Sequence, residues 1–380
     1  MNTLKRYFLI DAGVTFLNHG SFGATPAPVF RAYQNWQREL ERQPVEFLGR
    51  RYSELMAGAR QSLATYLGTR ADNVVYVTNV TLAVNIVARS LKLGPGDEVL
   101  ATDHEYGACD RVWRFLARKQ GFTYINQPVP LPLTTEAAFV ECLWQRITPR
   151  TRLIFLSHIT SPTAAILPVG EVCRRARRDG ILTLVDGAHA PGQIPLDLEV
   201  VGADFYGANL HKWLCAPKGA GFLYARPEVQ DLLEPLIVSW GYEAETPGAS
   251  RFVDYHEYQG TRDIAAFLSV PEAIRFQQTH DWDAVRRACH DLACQAEHYI
   301  RELCGQPSLY CNDSWFGQMV SVRLPDEIAP DSLKTGLYEE FRIEVPIIKW
   351  NNLKLIRVSF QGYNSYRDVN YLLKALRQVL

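Results

Sequence analysis

Four short stretches of this 380-residue chain hold residue types at spacings that fit one kind of chemistry. In Tyr206-Gly207-Ala208-Asn209-Leu210-His211-Lys212-Trp213 a lysine directly follows a histidine, between small-residue stretches where backbone can approach a ligand closely. Upstream, Leu182-Thr183-Leu184-Val185 reads as a buried strand ending in an acid, Asp186, with His189 three residues on. Thr78-Asn79-Val80-Thr81 joins a strand to a helix, and a helix N-terminus offers a phosphate its free N–H groups and dipole. Ile356-Arg357-Val358-Ser359-Phe360 sets an arginine inside an apolar strand, which is costly unless the guanidinium grips something such as a substrate carboxylate. A lysine for a Schiff base, a carboxylate to keep a pyridine nitrogen protonated and a phosphate-type turn are the parts that pyridoxal phosphate chemistry requires.

Each piece has a plainer alternative. Lys212 can be a surface lysine, Asp186-Gly187 a common turn after a strand, His189 a packing histidine and Asn79 a simple N-cap. Arg357 can sit in a structural salt bridge. His211, and Thr261 in Gly260-Thr261, are further candidates to face a phosphate. Competing chemistries lack their parts. His104-Glu105 and His256-Glu257 each begin a metalloprotease helix, but Ala108 and Gly260 stand where the second histidine belongs. There is no Walker loop and no GxGxxG, and neither Ser21 nor Ser161 has a nucleophile-elbow context.

The elements that must position these residues alternate between strand and helix. Val74–Val77, Glu98–Ala101, Leu153–Ser157 and Ile181–Val185 read as strands. The continuous apolar run at 153–157 marks a strand covered on both faces. Helices are expected from Thr25-Pro26 into the late thirties and around Leu55, Ala59 and Leu63. A third runs from Thr81 to Leu93, stopped by Gly94-Pro95-Gly96, and Val169–Arg178 is a crossover helix. This βαβ rhythm predicts a mostly parallel, doubly wound α/β sheet with helices on both sides. After Pro247 a polar stretch, Arg251 to Asp263, leads to helices at 270–279 and 283–303 and to strands at 319–324 and 355–360. A last helix is capped by Ser365 with Asp368. The expected division is an N-terminal segment 1–24, a large cofactor-binding domain 25–264 and a smaller α+β domain 265–380.

Bulk properties narrow the class. A net charge of −1 gives no argument for nucleic acid or a membrane surface, and the Arg174–Arg178 run reads as the wet face of a helix. No apolar stretch approaches the roughly 20 residues of a membrane span, and Met1–Asp11 lacks a signal-peptide core, which points to the cytoplasm. The eight cysteines form no CxxC pair, so they read as small core residues rather than as metal ligands or disulfides.

Together these motifs resemble the class V aminotransferase group of fold-type I pyridoxal phosphate enzymes, over nearly the whole chain. The resemblance rests on Asp186-Gly187-Ala188-His189, Asn209-Leu210-His211-Lys212-Trp213, Gly260-Thr261-Arg262-Asp263, and Arg357-Val358-Ser359 with Tyr363-Asn364. Within the group it is most similar to the isopenicillin N epimerase-like branch, through Leu17-Asn18-His19-Gly20-Ser21-Phe22-Gly23 and Glu344-Val345-Pro346-Ile347-Ile348-Lys349-Trp350. It implies that Lys212 is the Schiff-base lysine, that Asp186 pairs with the pyridine nitrogen and that His189 contacts the phenolic oxygen. Asn79, Val80, Thr81 and His211 would hold the phosphate, with Asn209 beside them, and Tyr106 would stack on the ring, where cysteine desulfurases carry histidine. Arg357 would hold the α-carboxylate. The resemblance further implies a homodimer with shared sites, in which Thr261 reaches the partner's phosphate.

Three fates of the α-carbon compete: epimerisation, β-elimination as in a C–S lyase, and transamination. No cysteine follows Cys311, and the loop near Phe341–Lys349 has none, which disfavours a persulfide-forming desulfurase. An epimerase needs a second acid/base besides Lys212, and His19, His158 and Tyr106 are the candidates. The substrate side is expected to be lined by His19, Phe22, Tyr242, Arg262 and Trp350, with His158 nearby. A non-catalytic dimeric binding protein is the alternative from outside enzymes.

Overall fold

The computed structural model describes residues 4–380, so the first three residues of the Met1–Asp11 stretch lie outside the described residues. In chain order the strands are β1 Thr15–Phe16, β2 Val74–Val77, β3 Glu98–Thr102, β4 Thr123–Gln127, β5 Thr151–Ser157 and β6 Leu182–Asp186. They continue with β7 Phe205–Asn209, β8 Gly221–Ala225, β9 Met319–Arg323, β10 Ile343–Glu344, β11 Ile347–Trp350 and β12 Leu353–Ser359. A seven-stranded sheet has the order β2-β8-β7-β6-β5-β3-β4, and β8 alone runs against the rest. Strands β2, β3, β6, β7 and β8 are largely apolar and almost wholly buried, as expected for a sheet covered on both faces. The chain crosses from β4 over β3 to β5, so the carboxyl ends of neighbouring strands open a crevice of the kind in which such sheets bind ligands.

Two smaller sheets bring the ends of the chain to this crevice. Strands β11, β12 and β9 form an antiparallel sheet on the long helix Trp282–Cys304, and β1 pairs in parallel with β10. The N-terminal turn is therefore stitched to the C-terminal region and lies against the lysine loop. Gly23 makes that approach possible. Its φ is +69°, and a Cβ there would lie 2.0 Å from the His211 carbonyl oxygen and 2.8 Å from Lys212 Cα.

Most expected elements are present, including the Ser365–Asp368 capping box before the helix Tyr366–Val379. Two expectations differ. The helix expected over 81–93 spans Val80–Ser90, because the Ser90 hydroxyl bonds back to Ile86 and receives the Glu234 N–H (2.9 Å), a long-range contact that ends the helix before the glycines. The polar stretch 251–263 contains a helix, Arg251–Glu257, capped by Ser250. It buries Phe252, His256 and Glu257, and Glu257 pairs with Arg60 at 2.6 Å. The arginine run behaves as a wet face: Arg174, Arg177 and Arg178 are exposed while Ala176 is buried. Among the described residues no helix is long and apolar enough to cross a membrane.

Candidate active site

The crevice holds a cavity lined by Ser21, Phe22, Asn79, Val80, Thr81, Tyr106, Ser157, Ile159, Ser161, Asp186, Ala188, His189, Asn209, His211 and Lys212. Asp186 and Asn209 close β6 and β7, Ser157 closes β5, and Asn79 caps the helix that follows β2. These side chains thus converge because parallel strands end together, although they lie far apart in sequence.

Lys212 is buried, not a surface lysine. Burial and then the Arg357 charge push its amine down to about 8, against the pull of Asp186. Its Nζ is 3.2 Å from His189 Nε2. Asp186 is 2% exposed, and its carboxyl accepts the Ala188 N–H at 2.9 Å and the Cys109 thiol at 3.5 Å. Burial raises it above the usual carboxylate range, while the Ala188 N–H and Lys212 oppose the shift. Among the described residues no cation pairs with this carboxylate, which stands on the cavity wall. A buried carboxylate in that position calls for a cationic N–H partner, and a protonated pyridine nitrogen is one.

At the turn after β2, Asn79 Oδ1 accepts the Leu82 N–H at 3.0 Å. The Val80 N–H donates to Asn209 Oδ1 at 2.9 Å, so it is not free for a phosphate as expected; Asn209 instead ties the end of β7 to the helix start. The N–H and hydroxyl of Thr81 have no protein partner among the described residues and border the cavity. His211 stands opposite, its Nδ1 donating to the Ala220 carbonyl at 3.2 Å. Burial pushes its imidazole down to about 4, so the ring is neutral until an anion arrives.

Arg357 is 4% exposed and, among the described residues, has no carboxylate partner, so the structural salt bridge is absent. Its guanidinium donates to the Ser161 carbonyl at 2.6 Å and hydroxyl at 3.1 Å and to the Ser21 hydroxyl at 3.4 Å, and its Nε has no partner. Both serines line the cavity, so the arginine reaches its edge. Burial lowers the guanidinium to about 10, and an anion is the group that would restore it.

Several expected substrate-side residues are elsewhere. His19 is fully buried beneath the lysine: its Nε2 donates to the Lys212 carbonyl at 3.1 Å and its Nδ1 accepts the Tyr363 hydroxyl at 2.9 Å. Burial pushes it down to about 3, so it supports the lysine peptide as a neutral ring. His158 is buried against the Tyr206 hydroxyl at 2.8 Å and is likewise kept neutral. Trp350 donates its indole N–H to the Asp103 carbonyl at 2.9 Å and packs on His104. Arg262 lies over the Phe267 ring, and Tyr242 packs on Tyr255. Thr261 is exposed and does not border this cavity. Of the expected group, Phe22, 72% exposed, and Tyr106, 45% exposed, remain on the cavity wall.

Sequence reasoning missed Glu105 and Trp213. Glu105 is buried under Tyr106 and accepts the Thr102 and Ser157 hydroxyls at 2.6 and 2.7 Å; burial pushes it up to about 8. Its place directly before Tyr106 was the available signal, and Trp213 directly follows the lysine.

Comparison with known proteins gives the family. The family model for aminotransferase class-V matches residues 21–372. The chain belongs to the aminotransferase class-V family. It is a pyridoxal phosphate-dependent enzyme of the fold-type I architecture. It is similar to an isopenicillin N epimerase of Amycolatopsis lactamdurans, 38% identical over 97% of this chain and 96% of that one. The corresponding protein of Streptomyces clavuligerus is 37% identical over 97% and 95%. Among solved structures, a cystine C–S lyase in complex with its product cysteine persulfide superposes with a TM-score of 0.84 at 26% identity, covering 97% of this chain and 98% of that one.

Proposed function

We propose that this enzyme is an amino-acid epimerase, with Lys212 as the cofactor's covalent anchor, Asp186 as partner of the ring nitrogen and Arg357 as holder of the α-carboxylate. Pyridoxal phosphate, when bound, supplies the electron sink that makes the α-proton acidic. Lys212 takes or returns that proton on one face, as the free amine that its lowered pKa favours at mildly alkaline pH. Tyr106 serves the other. The observation that carries this reading is the fate of the three candidates for a second acid/base: His19 and His158 are buried and committed to other partners, while the Tyr106 side chain opens on the cavity. The similarity to proteins named isopenicillin N epimerase favours the same reaction class.

The enzyme acts as a homodimer in this reading. Support comes from Thr261, exposed and away from its own chain's cavity, and from an apolar patch that includes Val238 and Trp240, the latter 85% exposed. A panel of amino acids incubated in deuterium oxide tests the reaction. Deuterium at Cα accompanied by loss of stereochemical purity is expected. Wash-in with full retention overturns the epimerase reading, and pyruvate with a released thiol from cysteine or cystine redirects it to a C–S lyase.

A further inference from the structure

Trp213 follows the lysine directly, and nothing in the proposed reaction uses it. Its indole is fully buried, with the His19 ring at 5.0 Å and the side chains of Ile159, Ala164 and Met319 around it. The Trp213 carbonyl is gripped by Gln277 at 2.8 Å, and Gly192, at φ +90°, leaves no room behind it: a Cβ there would lie 2.3 Å away. The indole N–H therefore has one fixed direction, and it points at His189 Nδ1, 3.1 Å away.

An indole N–H only donates. His189 Nδ1 must accept, so the proton of the neutral ring resides on Nε2. That Nε2–H faces Lys212 Nζ at 3.2 Å. An ammonium has no lone pair and cannot accept this bond, whereas a free amine can. We propose that Trp213 is a positioning residue that locks His189 as the Nε2–H tautomer and thereby holds Lys212 as the free, nucleophilic amine before the cofactor is bound. The same donor then faces whatever acceptor replaces the amine, so one indole sets the polarity of the contact in both states.

The other ionisable groups around the pair do not supply this bias by themselves. Burial and then Arg357 disfavour a charged lysine, while Asp186 and Cys109 favour it, and none of these fixes the direction of the His189 contact. His189 is kept neutral first by burial, then by Lys212, Arg357, His19 and His211. With Lys212 a free amine and His19 and His211 neutral, burial and the Arg357 charge keep the ring neutral, and only the indole decides which nitrogen carries the proton. The inference rests on Lys212 being the cofactor's anchor.

The test uses the full chain stripped of cofactor. Nitrogen-15 NMR of histidine-labelled wild-type protein at neutral pH should show His189 with an unprotonated Nδ1 and a protonated Nε2. An Nδ1–H tautomer or a doubly protonated ring overturns the proposal, whatever any variant does. Labelling of Lys212 by trinitrobenzenesulfonate, read by mass spectrometry across pH, should have its midpoint moved up by about one pH unit in Trp213→Phe, about tenfold less labelling at neutral pH. An unchanged midpoint in a variant with wild-type circular dichroism also overturns it. Failure of the anchor reading is distinguishable: Lys212→Ala would then still bind the cofactor covalently, while the tautomer measurement stood unaffected.

Discussion

The two sides of the cavity are built differently. The side that carries Lys212, which we propose faces the cofactor, is made by strand ends of one sheet and by the loops directly following them: Asp186 ends β6 and His189 follows it, Asn209 ends β7 and Lys212 follows it, and Asn79 and Thr81 follow β2. Strand pairing fixes their spacing, so the local pattern and the site coincide. The facing side is assembled from segments distant in sequence: Ser21 and Phe22 from the N-terminal turn, Ser161 after β5, and Arg357 from the small antiparallel sheet. Here nothing local dictates which side chain turns inward, and three expected residues, His19, His158 and Trp350, turn elsewhere. Chemistry carried by a contiguous motif survives folding legibly, whereas specificity carried by packing between distant segments does not.

That contrast is open to attack from both sides. The strongest blow falls on the cofactor side: Lys212→Ala should lower Cα-proton exchange by at least about 10³-fold, since anchor and acid/base are lost together. An activity loss below tenfold with cofactor still bound would remove the lysine from the centre of the site. Glu105, beneath the same wall, tests whether that floor is electrostatically tuned. Its folded value is raised from 4.5 to about 8. Between those values the folded protein keeps a proton that the unfolded chain has released, so stability falls as pH rises through that window. Glu105→Gln keeps both hydroxyl partners and removes the titration. Urea unfolding of cofactor-free protein should show the variant gaining on wild type from pH 4.5 to 8 by up to roughly 5 kcal/mol. Parallel pH profiles for the two proteins would show that Glu105 titrates normally.

On the facing side, Arg357→Lys retains charge but loses the planar fork. We expect KM for the amino-acid substrate to rise about 10- to 100-fold with a smaller change in kcat. An unchanged KM would mean that the guanidinium does not meet the carboxylate. The smallest effect is expected at Trp350→Phe, which loses one hydrogen bond to the Asp103 carbonyl. Stability should fall by about 1 kcal/mol and kcat/KM should change less than about threefold. A large catalytic effect there would return Trp350 to the substrate wall.

The doubly wound sheet was legible because its strands are apolar runs bounded by turn residues, and the convergence of Lys212, Asp186 and Thr81 on one cavity because a lysine, an acid at a strand end and a helix N-terminus make a joint demand. The misreadings have particular causes. His19 stands in a polar, glycine-bearing turn that reads as a ligand loop, yet Gly23 lets that turn pack on the lysine backbone and buries the ring. Val80 begins a helix and was expected to offer its N–H to phosphate, but Asn209, from the end of β7, had already taken it.

By itself, then, the sequence determined the sheet and brought Lys212, Asp186 and the turn at Thr78–Thr81 forward as candidates for one site, because each follows from residues near one another and from strand and helix periodicity. The tertiary structure decided which histidines are walls and which are supports, that Tyr106 opens on the cavity, and which nitrogen of His189 carries the proton. Those outcomes depend on hydrogen bonds such as Trp213 to His189 and His19 to Lys212, whose partners meet only once the sheet and the two ends of the chain have come together.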